Sequence, residues 1–151
     1  MKNLFKLSVA LIVASIMFIS CEKDDDKAKL SITNVKAENH DDATSTIKRG
    51  GTISVNFTAT AGDDARLDFY HVEIHDHPAS DRVEDEYKII DKDFKNLSTF
   101  KGLRNANVHQ HVTVPDTANL GSYHVVVVVV DEDGNSVDTE TLETHVTIVA
   151  K

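Results

Sequence analysis

Apolar and polar residues alternate one for one through segment after segment of this chain, and helical spacing of apolar positions hardly occurs. The chain must therefore bury one face of extended strands. Ile53, Val55 and Phe57 alternate with Ser54, Asn56 and Thr58 after a Gly50-Gly51 turn. Tyr70, Val72 and Ile74 do the same against His71, Glu73 and His75, and Val108, Gln110, Val112 and Val114 against His109, His111 and Thr113. Pro115, without an N–H to donate, stops pairing at that point. Leu30 and Ile32 open a first strand, and Tyr87 to Ile90 reads as a short one. Tyr123 leads into the unbroken run Val125 to Val130. Asp133-Gly134 then makes a hairpin turn, and Val137 to Val149 returns as the last strand. Lys95 to Arg104 reads as connecting loop, with room for a short helix between Asp76 and Arg104.

About seven short strands with polar turns define an all-β fold, an immunoglobulin-like antiparallel β-sandwich. Leu120-Gly121-Ser122-Tyr123 supports it: a Tyr opening the penultimate strand just after a Gly turn is the layout of a tyrosine corner.

The first residues read as an address. Lys2 and Lys6 precede a largely apolar run from Leu7 to Ile19, then Phe18-Ile19-Ser20-Cys21. That is a lipoprotein signal peptide over residues 1–20 ending in a lipobox, with Cys21 as the lipidated mature N-terminus. A transmembrane helix is the competing reading, but the run falls short of the roughly 20 apolar residues a span needs, and Glu22-Lys23-Asp24-Asp25-Asp26-Lys27 makes an acidic stop. Each buried acyl methylene contributes roughly 0.8 kcal/mol, so two or three chains would hold the protein on a membrane. Residues 21–29 then form the lipidated Cys and an acidic tether, and residues 30–151 the sandwich domain.

Cleavage before Cys21 moves the formal charge from −9 to −11, since Lys2 and Lys6 leave and no carboxylate does. Such a surface repels phosphate backbones, so no nucleic acid partner is expected. Cys21 is the only cysteine, which excludes a disulfide, a thiolate metal site and a cysteine nucleophile.

Ala59-Thr60-Ala61-Gly62-Asp63-Asp64-Ala65-Arg66-Leu67, Val108-His109-Gln110-His111-Val112-Thr113-Val114-Pro115, and Gly121-Ser122-Tyr123-His124 through Asp133-Gly134-Asn135 carry a family likeness. Together they resemble an uncharacterised lipoprotein family of the Bacteroidota, with an immunoglobulin-like domain of unknown function. The resemblance covers most of the mature chain and implies fold and location but no activity. The start Cys21-Glu22-Lys23-Asp24-Asp25-Asp26 likewise resembles the surface-export signal of lipoproteins from that group. It implies an outer-membrane, lipid-anchored protein facing outward at the cell surface.

Eight histidines are the one unusual resource. Residues two apart on a strand share a face about 7 Å apart, close enough for two imidazoles to grip one ion. His75 with His77 and His109 with His111 are such pairs, each on the polar side of its strand and therefore expected to be exposed. In an immunoglobulin-like sandwich the third and penultimate strands are antiparallel neighbours, which sets His75 beside His124. The last strand brings His145 to the same corner. His75, His77, His124 and His145 converge on one outer face in this topology, with Glu73, Asp76 and Asp81 as candidate oxygen ligands. His109 and His111 belong to the opposite sheet and form a second patch, unless their strand pairs directly with the penultimate one. An imidazole cluster without cysteine suits zinc or copper(II). The plainer reading is half-exposed strand residues on a solvated face, with no cofactor. His40, in a polar loop, and His71, on an outer face, are expected to be solvated without a role.

Asp131, Asp133 and Asn135 offer oxygens at alternate positions, as a calcium loop begins, but no Glu closes the loop and the hairpin needs Asp-Gly in any case. Asp63-Asp64 reads as a solvated turn. Neither a Gly-x-Ser-x-Gly elbow, a His-Glu-x-x-His helix nor a Gly-rich phosphate loop occurs, so no catalytic residue is assigned and the chain reads as non-enzymatic. There is no Trp to build a carbohydrate platform. Two functions fit: a membrane-anchored domain binding a divalent transition metal, or an adhesion or assembly module meeting a protein or glycan partner without metal.

Overall fold

In the computed structural model, which describes residues 28–80 and 82–151, nine strands follow one another along the chain. They are β1 (Ser31–Asn39), β2 (Thr46–Lys48), β3 (Thr52–Thr60), β4 (Leu67–Asp76), β5 (Lys88–Phe94), β6 (Asn105–Thr113), β7 (Gly121–Asp131), β8 (Ser136–Asp138) and β9 (His145–Val149). The expected signal peptide, Cys21, the expected tether up to Lys27, and Asp81 lie outside the described residues. Ala28 is already tied to the domain, its N–H donating to Asp63 Oδ2 (2.7 Å) and its carbonyl accepting from the Asp63 N–H (3.1 Å).

The strands form two sheets. One is the antiparallel set β1-β3-β6; the other runs β2-β9-β7-β4-β5, with β8 also paired to β7. Within the second sheet only the β2–β9 pairing is parallel. This is the immunoglobulin-like order: β4, the third long strand, lies beside β7, and β9 runs back along the other edge of β7.

The alternation read from the sequence is the alternation of burial. Ile53, Val55, Phe57 and Ala59 of β3, Tyr70, Val72 and Ile74 of β4, and Tyr123, Val125, Val127 and Val129 of β7 meet between the sheets with Val146 and Ile148 of β9. The unbroken valine run of β7 follows from its place as a central strand. Val126, on the outer face, is buried too, paired with Glu73 of β4 and lying where the chain between β8 and β9 crosses its other side. Tyr123 closes the corner, its hydroxyl donating to the Asn119 carbonyl at 3.0 Å. Burial pushes that phenol up to about 12.

Two features depart from the expected strands. Thr46-Ile47-Lys48 pairs as β2, where three residues are too few to display a period, yet Ile47 is wholly buried. The last strand is not continuous over Val137 to Val149. It breaks into β8 and β9 around a 3-10 turn at Glu140–Leu142, followed by Glu143 at φ 50°. The break is stabilised by the Thr139 side chain, whose Oγ1 accepts the Val127 N–H at 2.9 Å, replacing a strand carbonyl. A second 3-10 turn, Val83–Asp85, fills the connection before β5, and the segment from Lys95 to Arg104 contains no strand.

Candidate metal centre

The ladder sets three histidines in one row. His75 of β4 is paired with His124 of β7, and His124 with His145 of β9. Since directly opposed residues point to the same face, all three imidazoles stand on the outside of the larger sheet. His77, one residue beyond β4 and just before Pro78, folds over the row. Its ring lies 5.1 Å from that of His75, 5.8 Å from His124 and 6.3 Å from His145. His124 is the hub, 5.5 Å from His75 and stacked at 5.0 Å on His145. His75, His77 and His124 each offer a nitrogen within 4.8 Å of the others, close enough to share an ion.

The expectation that these histidines are exposed is corrected for two of them. His75 is 7% exposed and His124 5%. Strands flank β4 and β7 on both sides, and the rings of His77 and His145 cover what the ladder leaves open. His75 Nδ1 and His124 Nε2 are consequently buried without a hydrogen-bond partner. Glu73 Oε1 is 3.1 Å from His75 Nδ1, without the alignment of a hydrogen bond, and is held by Lys88 Nζ at 2.8 Å. Burial holds His124 below the usual imidazole value, helped by His145, His75 and His77 and opposed by Glu140. A neutral imidazole keeps a lone pair free, which is the form that binds metal. His145 Nδ1 donates to the Glu143 carbonyl at 2.9 Å, leaving its Nε2 to face outward from that bond.

The carboxylates are sorted by what they already hold. Asp76 is engaged at both oxygens, Oδ1 by the Tyr87 N–H (2.7 Å) and Oδ2 by Asn119 Nδ2 (2.8 Å), so it ties loops together instead of facing the histidines. Asp81 lies outside the described residues. Glu140, which strand alternation did not point to, reaches within 3.9 Å of His124 Nδ1 from the 3-10 turn. Glu73 and Glu86 group with His75 closely enough to supply oxygen.

His109 and His111 stand on β6, in the other sheet, and do not join this row. They meet His40 instead. His71 is not simply solvated: its Nδ1 is 2.8 Å from Asp93 Oδ1 and its Nε2 3.3 Å from Asp91 Oδ1. Asp131 spends its carboxylate on the turn, Oδ1 accepting from the backbone of Asp133 and Asn135 and Oδ2 from Asn135 Nδ2.

Fold and site together define an immunoglobulin-like β-sandwich bearing histidines on the outer faces of both sheets. The chain belongs to a family described as a domain of unknown function (DUF4625), whose model matches residues 19–149. No curated protein sequence matches it significantly. Among solved structures it is similar to a DUF4466 family protein from Parabacteroides merdae, at 10% identity and TM-score 0.50, over 79% of this chain and 45% of that one. It is also similar to the Pseudomonas fluorescens alkylpurine DNA glycosylase AlkC bound to DNA containing an abasic site analog. There the identity is 18% and the TM-score 0.49, over 82% of this chain and 31% of that one. The chain spans less than half the length of either. The likeness to the DUF4466 family protein speaks to the fold alone.

Proposed function

We propose that this protein is a lipid-anchored, non-enzymatic binding module that holds a divalent transition metal, zinc or copper(II), at the His75/His77/His124 corner. His145 completes the donor set. The anchor is Cys21, freed by removal of residues 1–20 and followed by the acidic tether, and the domain faces outward from an outer membrane. What supports the anchor is the basic start, apolar run and cysteine of the sequence. What supports the metal is the pair of buried, unpartnered imidazole nitrogens, His75 Nδ1 and His124 Nε2, inside a four-histidine group. An unsatisfied buried polar atom costs about 1–3 kcal/mol, a debt that coordination would offset. The donor set is nitrogen with optional carboxylate and no sulfur, which suits zinc and copper(II).

Elemental mass spectrometry of the untagged protein, loaded with zinc or copper and dialysed, tests this. The expected result is at least one tightly held ion per chain, with one ion lost in the triple variant His75→Ala/His77→Ala/His124→Ala. Metal-free protein after loading would instead favour an adhesion or assembly module whose partner is a protein or glycan.

A further inference from the structure

We propose that His40, His109 and His111 form a second, independent metal site on the β1-β3-β6 sheet, holding a divalent transition ion through three imidazoles with a coordination position left open to solution. The placement comes from three strands. His109 and His111 lie two apart on β6 and share its outer face, opposite Asn56 and Ser54 of β3. His40 follows the last residue of β1, and its N–H extends the ladder to the Thr52 carbonyl at 2.9 Å. Between them β3 carries Ser54, small enough to be covered, so imidazoles from the two flanking strands close over it.

The rings are arranged as ligands. His40 lies 4.3 Å from His111 and 6.0 Å from His109, and His109 lies 4.5 Å from His111, centroid to centroid. One nitrogen from each falls within 4.8 Å of the others. His109 Nδ1 donates to Asn56 Oδ1 at 2.5 Å, which fixes the tautomer and leaves Nε2 as a lone pair. His40 Nδ1 is 3.0 Å from Ser54 Oγ, a contact that leaves its Nε2 for the ion. The Nε2 atoms of His109 and His111 are hydrogen-bonded at 2.7 Å, His111 donating to the His109 lone pair, so an ion entering between them displaces that proton to solvent or to His111 Nδ1. Two donors on a tetrahedral zinc are about 3.3 Å apart, so a separation of roughly half an ångström more admits the ion. Alternation alone accounts for His109 and His111 facing out. It does not account for a third imidazole arriving from the turn after β1, or for the side chains that orient two of the three.

All three histidines are exposed, unlike His75 and His124 across the sandwich. Three protein ligands facing water leave the fourth position to an exchangeable ligand.

Cobalt(II) is the probe, because its visible absorption reports coordination. The untagged protein is titrated with cobalt, bound metal is counted after dialysis, and azide is then added. The variant His75→Ala/His124→Ala, which lacks the other centre, should still bind one cobalt ion, and azide should alter its visible band. His40→Ala in that background should lose the ion, and Asn56→Ala should bind it roughly 10-fold or more weakly with the same stoichiometry. Failure of the His75/His124 variant to bind cobalt, binding indifferent to His40→Ala, or a band indifferent to azide would each overturn the proposal. Circular dichroism of the variants excludes unfolding as the cause. Wild-type protein binding a single ion that depends on His40 but not on His124 would sink the other centre and leave this one standing.

Discussion

His124 stands opposite His75 in the ladder between β4 and β7, and the two rings meet edge to face with centroids 5.5 Å apart. This pairing is the hub of the candidate centre, because the same residue is paired on its other side with His145. A strand offers neighbours on two sides, so one central histidine can collect two more without any loop being involved. It also buries the hub. The nitrogen that the ladder hides from water is the one that lacks a protein partner.

Acid should weaken the metal-free fold through His124. Its pKa is lowered by burial, against the pull of Glu140, so below the ordinary value of 6.5 the unfolded chain takes up a proton that the folded chain refuses. Stability therefore falls as pH drops from 6.5 through the folded value. The depressed carboxylates Asp93, Asp42 and Glu84 add their losses only near and below the usual carboxylate range. Urea midpoints in EDTA should decline between pH 7.5 and 5.0, and His124→Gln should flatten that slope. An equal decline in the variant would remove His124 as the cause.

Zinc should raise Tm at pH 7.5. A ligand at 100 times its Kd adds about 2.7 kcal/mol, which for a domain of this size is a shift of roughly 10 °C. At pH 5.5 protons compete for the imidazoles and the shift should be much smaller. The triple variant at His75, His77 and His124 should lose the share of the shift that this centre supplies, and what remains should disappear when His40→Ala is added. Differential scanning calorimetry reads these comparisons, and a wild-type Tm indifferent to saturating zinc would count heavily against the centre.

The convergence of His75, His124 and His145 was legible because it needs only a period of two, which the alternation gives, and a sheet order, which the immunoglobulin-like fold class supplies. The burial of His75 and His124 was not. Alternation assigns a residue to a face, but whether that face is wet depends on side chains from other strands, such as the ring of His77. His40 was missed for a related reason: it reaches His111 only through the β1–β3 and β3–β6 pairings, which join segments far apart in sequence. Glu140 escaped because the polar run Asp138-Thr139-Glu140-Thr141, with the change of parity from Val137 to Leu142, Val146 and Ile148, marks a break in the last strand but not which side chain the 3-10 turn aims at the histidines.

Tyr123→Phe isolates the corner from the centre. The hydroxyl donates to the Asn119 carbonyl and sits in a ring that is wholly buried. Its loss should cost about 1 kcal/mol, since one net hydrogen bond disappears while the ring volume stays. Bound zinc should be unchanged, because the ladder and not the corner positions His124. A coupled loss of metal on mass spectrometry would show that the corner hydroxyl positions the neighbouring histidine.

Thr139→Val tests the break in the last strand. Thr139 is buried, its N–H donates to the Val127 carbonyl at 3.0 Å, and its Oγ1 accepts the Val127 N–H at 2.9 Å. Valine has nearly the same shape, so packing survives, but the buried Val127 N–H loses its acceptor. That asymmetry costs about 1–3 kcal/mol, whereas Thr139→Ser keeps the hydroxyl and should cost less than half as much. Urea midpoints order the three proteins, and amide exchange at Val127 should quicken in the valine variant specifically. Since Glu140 follows directly and reaches toward His124, the valine variant should also bind zinc more weakly if the carboxylate contributes to the centre. Equal zinc affinity in both variants would assign the binding to the imidazoles alone.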